Sequence, residues 1–372
     1  MRSSFRLGRI LGIEIGIHVS WLFIFAFLTW SLAAGYFPLE NVLPGRDNLT
    51  YWLLGAVSSL SLFISVLAHE LGHSVVARRN GIPVKNITLF IFGGASNITK
   101  EAETPGAEFR MAVTGPMVSF ALSAIFFTVF FATGREATAL NAVVVYLAQI
   151  NLILGVFNLL PGFPLDGGRV FRSILWKVLK DEPKATRIAA GSGQVIAYIF
   201  IFGGIALAFI VGIGGLWLAL IGWFLASAAS ASYQQSVLTE ALKGAKVKEI
   251  TNSSILSATD DITVEQAMST MLSHNQRALP LITDGRMTGL VTLTDIKKVP
   301  KESWPHEQVN RIMTPATEVQ SVSPEDDLTV VLELLQSAGY NQLPVMEKGK
   351  FRGLVSRAEL LQYIQLKHDL AK

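Results

Sequence analysis

Apolar residues gather into six long runs in the first two-thirds of the chain and then stop. Residues 17–36, 51–78, 109–133, 141–160, 193–212 and 216–231 each offer close to the roughly 20 mainly apolar residues that a bilayer-crossing helix needs. Inside hydrocarbon the backbone must satisfy its own hydrogen bonds, so such runs fold as helices rather than as open sheets. Charge content agrees: 16% of the 372 residues are charged, against about 25% in soluble domains. Beyond Gln234, Asp, Glu, Lys and Ser interleave with Val, Leu and Ile, so a soluble part follows. The predicted fold class is a polytopic α-helical membrane protein of six spans followed by a soluble α+β pair. The expected domains are residues 1–240 in the membrane and modules over 246–300 and 308–370. The sixth run is short and is expected to continue as a helix past Ala231.

Arg2, Arg6 and Arg9 precede the first run, which ends in Ser-Leu-Ala-Ala-Gly, the outline of a cleaved signal peptide. The run is long for that role and opens on Ile17-His18, so a retained first span is expected. Basic residues then set orientation. With six spans, Arg2, Arg6 and Arg9 share a side with Arg78, Arg79, Lys85, Lys100 and Arg110. That side also receives Arg169, Arg172, Lys177, Lys180, Lys184 and Arg187, whereas the other holds Arg46 and Arg135. Both termini and the soluble modules are therefore expected in the cytoplasm, at the cell membrane. A net charge of +3 with no basic stripe gives no reason to expect nucleic acid. With no cysteine, disulfides and thiolate metal sites are excluded, and a transition metal must use His and carboxylate ligands.

Between the second and third runs, Ile87-Thr-Leu-Phe-Ile-Phe-Gly-Gly-Ala-Ser96 is β-branched and aromatic. It predicts a short strand or hairpin at the membrane face, with Gly93 and Gly94 allowing a bend or close backbone approach. Residues 169–180 carry apolar side chains at helical spacing and predict an amphipathic surface helix. The soluble part repeats itself. Ala278-Leu-Pro-Leu-Ile followed by Gly289-Leu-Val-Thr answers to Gln342-Leu-Pro-Val-Met followed by Gly353-Leu-Val-Ser, each after an amphipathic helix. Two helix–strand–turn–strand–helix modules are expected.

The second run contains His69-Glu70-Leu71-Gly72-His73. On a helix, residues four apart share a face, so both imidazoles can grip one metal ion while Glu70 takes a proton from a bound water. Ionisable groups inside an apolar helix are expensive, which favours a functional reading over polar glue between helices. A catalytic zinc site needs a third protein ligand and an open position. Asn158-Leu-Leu-Pro-Gly-Phe-Pro-Leu-Asp166-Gly-Gly breaks the fourth run. Its Asp166 is placed either as that ligand or as the N-cap of the next helix, and the two roles are compatible. From the spacing to Arg78, the metal would lie roughly 8–14 Å below the cytoplasmic boundary, at about 1.5 Å per residue.

On these motifs the chain resembles the site-2 protease family of intramembrane metalloproteases, in the branch with six spans and a C-terminal CBS pair. The resemblance spans essentially the whole chain. It implies zinc held by His69, His73 and Asp166, with Glu70 as general base. It implies that Asn158 orients substrate or stabilises the oxyanion, and that the strand at Gly93 and Gly94 pairs with an unwound substrate. The substrate would be a membrane protein cut within or beside its transmembrane segment, in regulated intramembrane proteolysis. Gly115-Pro116 fits a further family pattern, but Ser119 stands where Asn is common and is assigned no role. His18 is read as a structural contact, and Asn151 as a hydrogen bonder between helices.

The repeat resembles CBS modules, which implies ATP, ADP or AMP bound through Thr292 and Asp295, with Ser356 and Glu359 at the second site. There Glu replaces the usual Asp. The alternative is that these residues only cap helices and that the pair serves homodimerisation. A CBS-regulated channel or transporter would explain the spans and the repeat, but it leaves the two histidines, Glu70 and Asp166 without a purpose.

Overall fold

Helices α2 (Asn48–Arg79), α3 (Pro105–Ala132), α4 (Ala139–Asn158), α6 (Glu182–Val211) and α7 (Gly214–Leu242) are each long and apolar enough to cross a membrane. In this computed structural model the described residues are 4–91, 93–98, 102–134, 136–212, 214–283, 285–337 and 341–370. Arg2, Lys100 and Arg135, which entered the charge comparison, lie outside them. Helix α1 (Ser20–Ser31), with the π-helical turn Leu32–Tyr36, forms a shorter apolar segment than the other five. Local chemistry sets the helix starts. The side chains of Thr104, Thr138 and Asp181 accept from Ala107, Asn141 and Lys184 amides to cap α3, α4 and α6. As expected from the sequence, α7 runs past Ala231, and the chain divides within it into compact units at Gln234 and Gln235.

The first unit exposes large apolar side chains on its outside and buries small polar ones beside the apolar ones within. Phe202, Phe209 and Ile210 of α6 are exposed, while Ser58, Ser65, Ser119, Ser123 and Asn151 are buried between helices. Without a hydrophobic drive between helices in lipid, small residues and hydrogen bonds hold them together. Ser123 Oγ donates to the Ala148 carbonyl across α3 and α4, and Asn151 Nδ2 donates to Ser65 Oγ across α4 and α2. The bridging role read for Asn151 is thus present.

The N-terminus departs from the sequence reading. Instead of leading straight into a span, it forms a hairpin of β1 (Phe5–Ile10) and β2 (Ile13–Ile17), and α1 begins only at Ser20. Ile13, Ile15 and Ile17 alternate with Glu14 and Gly16, a period of two that suits a strand and not a helix. Strand β2 pairs in parallel with β3 (Val84–Phe90), which pairs antiparallel with β4 (Gly93–Ile98), so the predicted hairpin is half of a four-stranded sheet ordered β1-β2-β3-β4. Ile13, Ile15 and Ile87 pack on Leu67 and Leu71 of α2, and Arg78 donates to the Leu11 carbonyl in the β1–β2 turn. His18 links sheet and helix: its amide donates to the Leu89 carbonyl and its Nδ1 pairs with Ser20 Oγ.

Helix α5 (Asp166–Leu179) is the predicted amphipathic segment, extended at its start. It exposes Ile174 and Val178 and buries Arg172, whose Nε donates to Glu108 Oε1 of α3 at 2.6 Å. Arg172, counted among the basic residues that set orientation, is half of a buried pair bracing α5 on α3.

In the second unit, α8 (Val264–Ser273), β5 (Ala278–Thr283), β6 (Arg286–Thr292) and α9 (Leu293–Ile296) form one module. Short β7 (Thr314–Pro315) pairs with β6. Helix α10 (Leu328–Ser337), β8 (Gln342–Glu347), β9 (Lys350–Ser356) and α11 (Arg357–Leu370) form the other. The two hairpins share one register, Ala278 facing Thr292 and Gln342 facing Ser356, with an irregularity at the same point in each. Separate apolar cores, around Leu279 and Val291 and around Leu343 and Val355, support them.

Candidate metal centre

Helix α2 places His69 and His73 on one buried face, with ring centroids 4.9 Å apart. Asp166, the first residue of α5, reaches both. His69 Nε2 lies 3.0 Å and His73 Nε2 3.1 Å from Asp166 Oδ2, and the two nitrogens are 3.2 Å apart. Asp166 is inside the helix rather than at its N-cap, which is Leu165, so its carboxylate is free to face the imidazoles.

The far side of each ring is held by α3. His73 Nδ1 lies 2.7 Å from the Met111 carbonyl, and His69 Nδ1 lies 2.9 Å from Ser119 Oγ. A carbonyl only accepts, so His73 Nδ1 carries a hydrogen, and in the neutral ring Nε2 is the lone-pair nitrogen on the Asp166 side. Ser119 can orient His69 in the same way. With both rings neutral, three electron-pair donors converge, an arrangement that takes a cation between them, either a metal ion or a proton. A tetrahedral zinc ion sets its ligand atoms about 3.3 Å apart, close to the observed spacing. The donor set fits zinc, and each imidazole has its other nitrogen held by a polar partner, Met111 or Ser119, as zinc-binding histidines usually do. Gly115 of α3 completes the enclosure: a Cβ there would stand 2.1 Å from His73 Nε2 and 2.6 Å from His69 Nε2.

Glu70, half-buried, faces the sheet. Ser96 of β4 donates to its Oε2 at 2.6 Å. A Cβ on Gly94 would meet Glu70 Cγ at 2.5 Å, so β4 can lie this close only with glycine there. Gly93 adopts a positive φ of 125° at the start of the strand. Asn158 is the last residue of α4, half-buried, and its side chain makes no hydrogen bond among the described residues. Sequence reasoning missed Ser96 and gave Ser119 no role, because a serine carries no motif of its own.

In the second unit, Thr292 amide and Oγ1 both donate to Asp295 Oδ2, and Lys298 Nζ donates to Oδ1 at 3.0 Å. Burial alone would raise the Asp295 carboxyl; the bonds from Thr292 and Lys298 outweigh it and hold it below the ordinary carboxylate range. Ser356 and Glu359 repeat the arrangement, with the Ser356 amide and hydroxyl both donating to Glu359 Oε2. The longer Glu arm reaches the same cap.

A family model for peptidase family M50 matches residues 57–138 and 132–202, and one for the CBS domain matches residues 247–302 and 309–366. Rip3 of Mycobacterium tuberculosis is 37% identical over 373 residues, which cover 98% of this chain and 94% of its own. The zinc metalloprotease MJ0392 of Methanocaldococcus jannaschii is 29% identical over 376 residues, covering 100% of this chain and 99% of its own. Among solved structures, a site-2 protease from the same archaeon is 30% identical and covers 62% of this chain and 94% of its own, with a TM-score of 0.42.

Proposed function

Because the chain belongs to peptidase family M50, a family of zinc metalloproteases, and carries a CBS pair behind its peptidase segment, we propose that it cleaves membrane proteins within or beside their transmembrane segments. The observation that carries this reading is the convergence of the buried His69 Nε2 and His73 Nε2 with the partly buried Asp166 Oδ2, beside Glu70, which follows His69 in the chain. His69, His73 and Asp166 would hold a zinc ion, which would supply Lewis acidity to the attacking water. Glu70 accepts the proton of the attacking water and passes it to the leaving amine. Asn158 orients the scissile carbonyl or donates to its developing oxyanion. A helical substrate hides that carbonyl in its own hydrogen-bond ladder. It unwinds and pairs along the free edge of β4, where Gly93 and Gly94 leave room.

The chain in detergent, mixed with a single-span reporter protein bearing helix-breaking residues in its transmembrane segment, tests the proposal. Cleavage should stop on chelation and return with added zinc. Asp166→Ala should lose most of its zinc together with activity; full zinc occupancy in that variant would remove Asp166 from the ligand set. Cleavage indifferent to chelation would reject the metallopeptidase reading.

The membrane domain, over residues 1–240, is proposed to cross six times, with Ser20–Tyr36 as the first span and both termini in the cytoplasm. Since the chain has no cysteine, single cysteines report sidedness directly. Those at Gly45 and Thr138 should label from outside and one at Pro183 from the cytoplasm alone; the reverse pattern would place the CBS modules outside.

The CBS modules, over 246–300 and 308–370, are proposed to bind ATP, ADP or AMP, mainly through Thr292 and Asp295 and secondarily through Ser356 and Glu359. A hydrogen bond to a charged group contributes roughly 1.5–3 kcal/mol, so Asp295→Ala should weaken nucleotide binding about tenfold to a hundredfold. Calorimetry on the full chain with each nucleotide checks this. Absence of binding at millimolar nucleotide would leave the pair as a homodimerisation module and Asp295 as a helix cap.

A further inference from the structure

We infer that Ser96 is a positioning residue for the Glu70 carboxylate, a role that rests on Glu70 acting as the base. Ser96 lies on β4, the strand at the sheet edge, and its hydroxyl sits 2.6 Å from Glu70 Oε2 and 3.3 Å from Ser74 Oγ. A serine hydroxyl has one hydrogen, and an ionised carboxylate can only accept. Ser96 therefore donates to Glu70, and Ser74, fully buried one turn farther along α2, donates to Ser96. The chain Ser74→Ser96→Glu70 holds one carboxylate oxygen. The other, Oε1, accepts no hydrogen bond among the described residues and remains for the attacking water.

The Gly94 backbone packs against the Glu70 stem, but it offers the carboxylate no hydrogen bond, so Ser96 alone fixes the rotation of the carboxylate among the described residues. A charge-assisted hydrogen bond supplies the missing restraint. The same strand offers the edge at which substrate is proposed to pair. One residue thus ties the placement of the base to the strand at which the peptide is proposed to pair.

Three variants of the full chain, Ser96→Ala, Ser96→Thr and Glu70→Gln, test this against the single-span reporter, with zinc content and zinc affinity by chelator competition measured on each. Ser96→Ala should lower kcat about tenfold, the loss of one hydrogen bond to a charged group, with KM, zinc content and zinc affinity unchanged. Ser96→Thr, which keeps the hydroxyl, should restore most of the loss. The inference is overturned if Ser96→Ala turns over at the wild-type rate while Glu70→Gln is inactive. It is overturned equally if the loss lies wholly in KM, or if Thr rescues no better than Ala. An active Glu70→Gln would instead reject the reading of Glu70 as base, on which the inference stands.

Discussion

Gly115→Ala should give a folded chain that holds no zinc and cleaves nothing. The added methyl would stand 2.1 Å from His73 Nε2 and 2.6 Å from His69 Nε2, against the two nitrogens that would hold zinc. Neither ring can retreat while keeping its partner, since His73 Nδ1 is tied to Met111 and His69 Nδ1 to Ser119. Helix α3 itself should not suffer, because Ala is favoured over Gly in a helix interior by about 1 kcal/mol. The defect should therefore be local: zinc per chain at background by elemental analysis, and thermal unfolding in detergent close to that of the metal-free wild type. Full zinc occupancy in this variant would mean that the ion does not sit among these three donors.

How much of this was legible in the sequence follows from how far apart the interacting residues are. His69 and His73 declare themselves because a four-residue spacing on a helix is a local statement, and the CBS hairpins because each is local and appears twice in the same register. Asp166 is 97 residues from His69; its neighbourhood offered a ligand or a cap, and the family resemblance brought it to the metal. Arg172 reads as one basic residue of a surface helix until its partner Glu108, 64 residues away and almost fully buried, is known. The N-terminal hairpin was hidden for another reason. Phe5, Leu7 and Ile10 lie among arginines, and β2 is five residues long with its last, Ile17, counted as the start of the predicted span, so its period of two was too short to stand out ahead of that span. Ser96 and Ser119 illustrate the limit: their contacts to Glu70 and His69 exist only once β4 and α3 are packed on α2.

Replacing Glu70 by Gln should abolish cleavage while leaving the metal in place. The amide is nearly the same size as the carboxylate and can still accept from Ser96 through its oxygen, so the packing of β4 against α2 is kept. It cannot take a proton from the attacking water or carry one to the leaving amine. General-base catalysis typically contributes on the order of 10²–10⁴ in rate, which brings cleavage below detection in a detergent assay. Since Glu70 lies outside the triangle formed by His69, His73 and Asp166, zinc content should not change. The decisive measurement is zinc per chain and reporter cleavage determined side by side on the wild type and Glu70→Gln. Equal zinc with cleavage in the wild type alone is the predicted result. Cleavage by the variant, or loss of its zinc in step with its activity, would contradict the assignment of Glu70 as the base of a metal centre built from His69, His73 and Asp166.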